Sequence, residues 1–239
     1  MRALLGILLT LIGQQPPSPR PLAVLGVWGT FNLPTLYYAP AIVVYGNGLV
    51  IYQTATEPVK QFRSVILSPD EIRTLIPPAD VAALVNGDTV PRGDTSRVGS
   101  DVQVLVLDLW RDTIHQRVTL RGDTSIGSAS FAHIVSRLSH FSSVGAKSWV
   151  PDSIEINLRP IARECNPTKP VAWPESLPHP GQLPDTLVHF FVAAKYLSAV
   201  SDLLNKHGNW DCTPVLLGGR WWGLSYDFPY PAQSLWLRK

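Results

Sequence analysis

The sequence is poor in charged residues. Lys, Arg, Asp and Glu make up 16% of its 239 residues, against about 25% in ordinary soluble domains. The 20 basic and 18 acidic side chains are scattered along the chain and leave a net charge of +2. Because nucleic-acid binding depends on clustered basic side chains that neutralise phosphates, we do not expect a nucleic-acid partner.

Motifs of the large enzyme classes are also missing. The chain has no Gly-x-Ser-x-Gly elbow, no Gly-x-x-x-x-Gly-Lys loop, no His-Glu-x-x-His pair and no Gly-x-Gly-x-x-Gly turn. We therefore predict no cofactor and no metal site. Two function classes stay open, which are a binding module and a hydrolase whose site is assembled from distant segments.

Long hydrophobic runs are absent. The apolar run Ala3–Ile12 has ten residues, well short of the roughly 20 that span a bilayer. It follows Met1 and Arg2 and precedes Gly13-Gln14-Gln15, a pattern typical of a secretory signal peptide. We expect a secreted or periplasmic protein without stable membrane insertion after processing. The alternative is a buried strand or helix at the N-terminus.

Cysteine occurs only twice, as Cys165 and Cys212. In an oxidising compartment the two thiols are expected to form a disulfide. The alternative is two buried thiols, and neither residue has the spacing of a zinc ligand.

Proline is abundant, with 22 residues, or about 9% against the usual 5% or so. The prolines are clustered, and the stretches between the clusters are apolar and periodic. This pattern predicts a globular protein with Pro-rich connections. Residues 160–184 are expected to form one such extended connection without regular structure.

Alternating apolar residues around turn signals predict several hairpins. Gly46-Asn47-Gly48 separates the apolar runs 41–45 and 49–53, and residues 65–67 form a candidate third strand. The other predicted strands are 102–109 paired with 114–120, a half-exposed strand at 154–158, and a last hairpin of 214–217 with 220–226.

Helical spacing and capping signals predict four helices. Ser68-Pro69-Asp70-Glu71 has the form of a capping box and begins a helix that ends at Pro77-Pro78. The remaining three are a short helix at 78–85, an amphipathic helix at 128–141, and a helix from Asp185 through Leu204 to Gly208.

These elements predict an α+β protein in which antiparallel β-hairpins form a sheet with helices packed on one face. Residues 1–20 are assigned to the signal peptide and a Pro-rich leader. Residues 21–145 form a hairpin-helix half, and residues 146–239 form a second half with the Pro-rich connection, a helix and the final hairpin. One continuous domain is the alternative to two halves.

Aromatic residues crowd the C-terminal part of the chain and provide the candidate ligand-binding residues, which are Trp173, Trp210, Trp221, Trp222 and Tyr226. Trp221 and Trp222 are adjacent on a predicted strand and must point to opposite faces. We expect one indole to be buried under the last helix and the other to be exposed beside Tyr226.

Asp108 and Asp112 flank a predicted turn, and a pair of carboxylates at such a place can act as acid and base. We interpret them instead as aspartates that bind turn amides.

Two stretches, 41–52 (AIVVYGNGLVIY) and 218–226 (GGRWWGLSY), resemble the early and late hairpins of a family of uncharacterised bacterial secreted proteins and lipoproteins. The chain lacks the cysteine that follows the apolar run in the lipoprotein members. The resemblance implies export without a lipid anchor, and it implies no activity.

The sequence therefore favours a secreted, non-catalytic binding module. Its ligand is unknown, and a carbohydrate, a peptide and an envelope component remain the open classes.

Overall fold

The computed structural model of the chain describes residues 19–28, 40–55, 61–85, 104–111, 114–121, 128–161, 171–181, 183–207 and 214–236. The strands in this part of the chain form two sheets. The predicted α+β class with antiparallel hairpins is confirmed, although the hairpins are divided between two sheets rather than gathered into one.

The first sheet has seven strands, and each pair of neighbouring strands is antiparallel. They are β1 (Pro21–Trp28), β2 (Ile42–Tyr45), β3 (Leu49–Ala55), β4 (Gln61–Ile66), β5 (Val104–Arg111), β6 (Ile114–Arg121) and β7 (Lys147–Trp149). Their order across the sheet is β6, β5, β1, β2, β3, β4, β7.

The second sheet has five strands. They are β8 (Ser153–Pro160), β9 (Val171–Ala172), β10 (Val188–Ala193), β11 (Pro214–Leu217) and β12 (Arg220–Asp227). Their order is β10, β8, β12, β11, β9, and the pair β9–β11 is parallel.

The helices are α1 (Pro69–Leu75), α2 (Pro78–Val85), α3 (Ala129–Ser139) and α4 (Leu197–His207). The predicted capping box is present at the start of α1. Ser68 Oγ accepts a hydrogen bond from the Glu71 backbone N–H, and the Glu71 carboxylate accepts one from the Ser68 backbone N–H. The hydrogen bonds from Ser68 lower the pKa of Glu71. The local sequence therefore fixes this helix start.

The hairpin between β2 and β3 is confirmed at its turn. Gly48 has φ of 89°, and a Cβ at this position would lie 2.4 Å from the Leu67 carbonyl oxygen. Only glycine satisfies both conditions. The Asn47 side chain accepts a hydrogen bond from the Leu49 amide at 3.2 Å, which closes the turn.

The two faces of the seven-stranded sheet belong to different hydrophobic clusters because strand residues alternate. Ala23, Leu25 and Val44 pack in one cluster with side chains of α1, α2 and α3. Val24 and Val43 pack in the other cluster with the five-stranded sheet and α4. The seven-stranded sheet thus has helices on one face, as predicted, and the second sheet on the other.

The prediction of a helix from Asp185 to Gly208 is wrong in its first half. Val188–Ala193 is a strand that pairs with Ser153–Leu158 of β8, and the helix begins only at Leu197. β-Branched and aromatic side chains favour a strand here, and pairing with β8 satisfies the backbone. The apolar residues at 187, 190, 191 and 194 match a helical period by coincidence.

The Pro-rich connection 160–184 is not free of regular structure. Val171–Ala172 forms β9, which adds to the edge of the five-stranded sheet beside β11. Leu177 is buried with the core cluster of that sheet. The described part of this connection therefore belongs to the folded body.

Several predictions fall outside the described residues. These include the apolar run Ala3–Ile12, Asp112, Trp210 and both cysteines. Within the described ranges, no helix combines the length and the apolar character needed to cross a membrane.

Candidate functional site

Trp222 and Tyr226 lie on the inner face of β12 and are part of the core. Their exposed fractions are 0% and 1%. Trp222 Nε1 donates a hydrogen bond to the Leu217 carbonyl at 3.1 Å. Neither ring presents a face to solvent in this conformation.

Trp221 points to the opposite face of β12 and is partly exposed. The predicted opposition of the two indoles is therefore confirmed. The prediction that the exposed indole lies beside Tyr226 is wrong, because residues 222 and 226 share the inner face. Instead Trp221 lies opposite Leu216 of β11, which is 39% exposed.

Trp173 is half-buried, and its ring centroid lies 6.2 Å from that of Phe190. Its buried indole N–H has no hydrogen-bond partner among the described residues. Trp173 packs against the core cluster, whereas Trp221 lies on the outer face. The structure thus does not bring the described candidate residues together into one platform.

The outer face of the five-stranded sheet carries a second exposed apolar group. Phe191 of β10 is 61% exposed and lies opposite Glu155 of β8. Strand alternation places it on the same face as Trp221 and Leu216. This face therefore has apolar side chains at two places along the sheet.

A row of polar side chains lies between those apolar groups. His189 Nδ1 is 2.5 Å from Asn157 Oδ1, and Asn157 Nδ2 donates to Asp227 Oδ2 at 3.1 Å. An ionised carboxylate only accepts, so Asp227 fixes the orientation of the Asn157 amide. The Asn157 oxygen then accepts from His189, which places a proton on Nδ1.

Glu155 adds a carboxylate to this row, with Oε1 3.8 Å from His189 Nδ1. Asn157 is 3% exposed and Asp227 is 8% exposed. Buried polar groups that hydrogen-bond to one another hold their neighbours in a defined geometry. The row thus holds His189, its exposed member, in a defined orientation.

A separate polar cluster lies on the inner face of the seven-stranded sheet, around Asp108 of β5. Asp108 is 0% exposed and its carboxylate accepts from Arg117 Nε at 2.7 Å and Nη2 at 2.9 Å. His115 Nε2 lies 2.7 Å from the same carboxylate. The prediction that Asp108 serves a turn amide is wrong, because the residue lies within the strand.

This cluster also binds the C-terminal segment. Arg117 Nη2 donates to the Trp236 carbonyl at 2.6 Å. The Trp110 ring stacks on His115 with centroids 4.4 Å apart and contacts the Trp236 ring edge-on. The Asp108 cluster therefore connects β5 and β6 to the end of the chain.

The sequence analysis missed the polar row around His189, and it named Asp108 without its partners His115 and Arg117. His189 falls in the stretch predicted as a helix, where its strand neighbours Asn157 and Asp227 cannot be foreseen. The sequence does single out Asp108, because it is the one charged residue within the apolar run 104–110.

Among the described residues, no three His, Cys, Asp or Glu side chains are placed to hold a metal ion together. Comparison with family models, curated proteins and solved structures found no match to this chain. The resemblance to the uncharacterised bacterial secreted proteins stays a prediction.

Proposed function

We propose that the protein is a secreted, non-catalytic binding module that contacts its ligand through the outer face of the five-stranded sheet. The observation that carries this proposal is the exposure of Phe191, Leu216 and Trp221 on that single face. Leu216 and Trp221 are neighbours across β11 and β12, and Phe191 lies apart from them on β10. Exposed apolar side chains on one face are a common feature of contact surfaces.

The polar row beside these side chains supports the same proposal. Binding sites combine apolar contact area with a few fixed polar groups that orient the ligand. His189, Asn157 and Asp227 are held in a defined arrangement by their mutual hydrogen bonds. A carbohydrate, a peptide and an envelope component all fit this combination.

The test is a titration of the purified protein with three sets of ligands, namely soluble oligosaccharides, synthetic peptides and isolated envelope fragments. Trp221→Ala is expected to lower the affinity for any ligand that binds by about tenfold or more, because an aromatic contact is lost. Ile114→Ala is the matched control, because Ile114 is 50% exposed on the other sheet. Equal affinity in both variants contradicts the proposed surface.

Export and the disulfide belong to the same proposal. We expect removal of about the first 13 to 20 residues and a bridge between Cys165 and Cys212. Intact-mass measurement of the exported protein checks both expectations, since the bridge adds two hydrogens on reduction. A protein that retains Met1, or whose two thiols react without reduction, contradicts them.

An extracytoplasmic hydrolase is the second candidate, and His115 is the observation that favours it. The Asp108 carboxylate accepts from Nε2, so the neutral imidazole has its lone pair on Nδ1, and the side chain is 36% exposed. An oriented histidine of this kind can act as a general base. Arg117 binds the same carboxylate with two nitrogens, so Asp108 is shared between His115 and Arg117.

Chromogenic ester, glycoside and phosphate substrates distinguish the two candidates. Turnover that is lost in His115→Gln, with the unfolding midpoint unchanged, supports the hydrolase and contradicts a non-catalytic module.

A further inference from the structure

The edges of the two sheets differ in how well they are protected from pairing with another strand. Unpaired edges are usually short, or carry Lys, Arg or Pro. Among the described strands, the edges are β6 and β7 in one sheet and β10 and β9 in the other. β6 contains Arg117 and Arg121, β7 has three residues including Lys147, and β9 has two residues.

The edge strand β10 has none of these protections. Its sequence VHFFVA has six residues and contains no Lys, Arg, Asp, Glu, Pro or Gly. Each of the six pairs in register with β8, so the strand is held in place from its inner side. A strand of this length and composition is a template for one more strand.

Burial along β10 also indicates a missing neighbour. On the inner face Val192 is buried at 4%, whereas Val188 and Phe190 are only half-buried. On the outer face Phe191 is 61% exposed. One additional strand beside β10 would cover apolar side chains on both faces.

We propose that β10 binds an extended peptide of about six residues, which adds to the five-stranded sheet as a sixth strand. This inference rests on the proposed binding function and names its ligand class. Main-chain hydrogen bonds would supply most of the affinity, and alternate apolar side chains of the peptide would pack on Phe190 and Phe191. Because β10 contains no Lys, Arg, Asp or Glu and presents two phenylalanines, the fitting peptide is apolar. It contains no proline, because proline has no N–H to pair with the strand.

A second copy of the chain is a less suitable occupant. Six residues of strand extend about 20 Å, so two folded bodies would need contacts beyond this strip to reach the roughly 1,200 Å² of a stable complex. A flexible peptide can pair with the strand and also place its side chains over both faces.

The test uses the capped hexapeptide Thr-Val-Phe-Val-Thr-Val, whose valines fall on one face and whose phenylalanine falls on the other. Amide chemical shifts of the isotope-labelled protein are followed during titration. We expect shifts centred on Val188–Ala193 and slower hydrogen exchange of the β10 amides. A peptide with proline in place of the second valine is expected not to bind.

Phe191→Lys introduces the edge charge that β10 lacks and is expected to lower the affinity for the peptide by about tenfold or more. Ile66→Lys is the matched control, because Ile66 is 67% exposed on the seven-stranded sheet. The inference is overturned by any of three results: no shifts at millimolar peptide, equal binding by both variants, or a wild-type dimer that Phe191→Lys dissociates. If the hexapeptide does not bind, but an oligosaccharide or envelope ligand binds and Trp221→Ala weakens that binding, this inference is overturned and the proposed binding surface is not.

Discussion

The adjacent residues Trp221 and Trp222 point to opposite faces of β12, with Trp222 in the core and Trp221 at the surface. Trp222 packs in the cluster that contains Val200 and Leu203 of α4, and its indole N–H is satisfied by a backbone carbonyl. Trp221 has its side chain on the other face of the same strand. Trp222 therefore contributes to stability, and Trp221 is available for contact with a ligand.

Truncation should separate the two roles. Trp222→Ala is expected to cost about 3 to 5 kcal/mol of unfolding free energy, through the lost ring and the cavity it leaves. Trp221→Ala is expected to cost about 1 kcal/mol or less, because part of its ring is already in water. Urea unfolding followed by far-ultraviolet circular dichroism measures both values, and equal costs would show that the outer face is also core.

At the level of elements, two predictions made from local turn and capping signals are confirmed. The Asn47-Gly48 turn and the Ser68 capping box each depend on residues within four positions of one another, and both appear at the predicted places. The strands of the last hairpin likewise flank Gly218 and Gly219, which have positive φ.

Predictions that depended on long-range pairing were wrong or incomplete. Strand β10 has the apolar spacing of a helix, and only its pairing with β8, 30 to 40 residues earlier in the chain, selects the strand. The same pairing places His189 beside Asn157. The polar row of the candidate site therefore could not be derived from periodicity, although the candidate residue Trp221 could.

At the scale of the whole molecule, the C-terminal segment 228–236 connects the two sheets. The Tyr45 hydroxyl of β2 donates a hydrogen bond to the Pro231 carbonyl, and the Tyr230 hydroxyl donates one to the Pro40 carbonyl. Burial raises the pKa of Tyr45, so its phenol stays protonated and remains a donor. Phe62 of the seven-stranded sheet contacts both Phe228 and Tyr230 edge-on.

The Asp108 cluster is the polar anchor of this segment. Arg117 binds Asp108 with two nitrogens and uses one of them for the Trp236 carbonyl as well. Without Asp108, the guanidinium would lose this carboxylate partner in a place where only 27% of its side chain is exposed. We expect the loss to weaken the contact between the hairpin β5–β6 and the segment 228–236, because Arg117 also binds the Trp236 carbonyl.

Asp108→Ala is therefore expected to destabilise the protein by about 3 kcal/mol, the lower part of the range for breaking a buried ion pair, because Arg117 keeps some contact with water. Asp70→Ala is the matched control, since it breaks the exposed Asp70–Arg73 pair of α1 and is expected to cost about 0.5 kcal/mol or less. Carboxypeptidase digestion supplies the second measurement. Loss of the Arg117 contact should release the residues around Trp236 faster in Asp108→Ala than in Asp70→Ala at equal folded fraction. Equal digestion rates in the two variants would mean that the aromatic contacts of Trp236 with Trp110 and Tyr230 hold the segment without the ion pair.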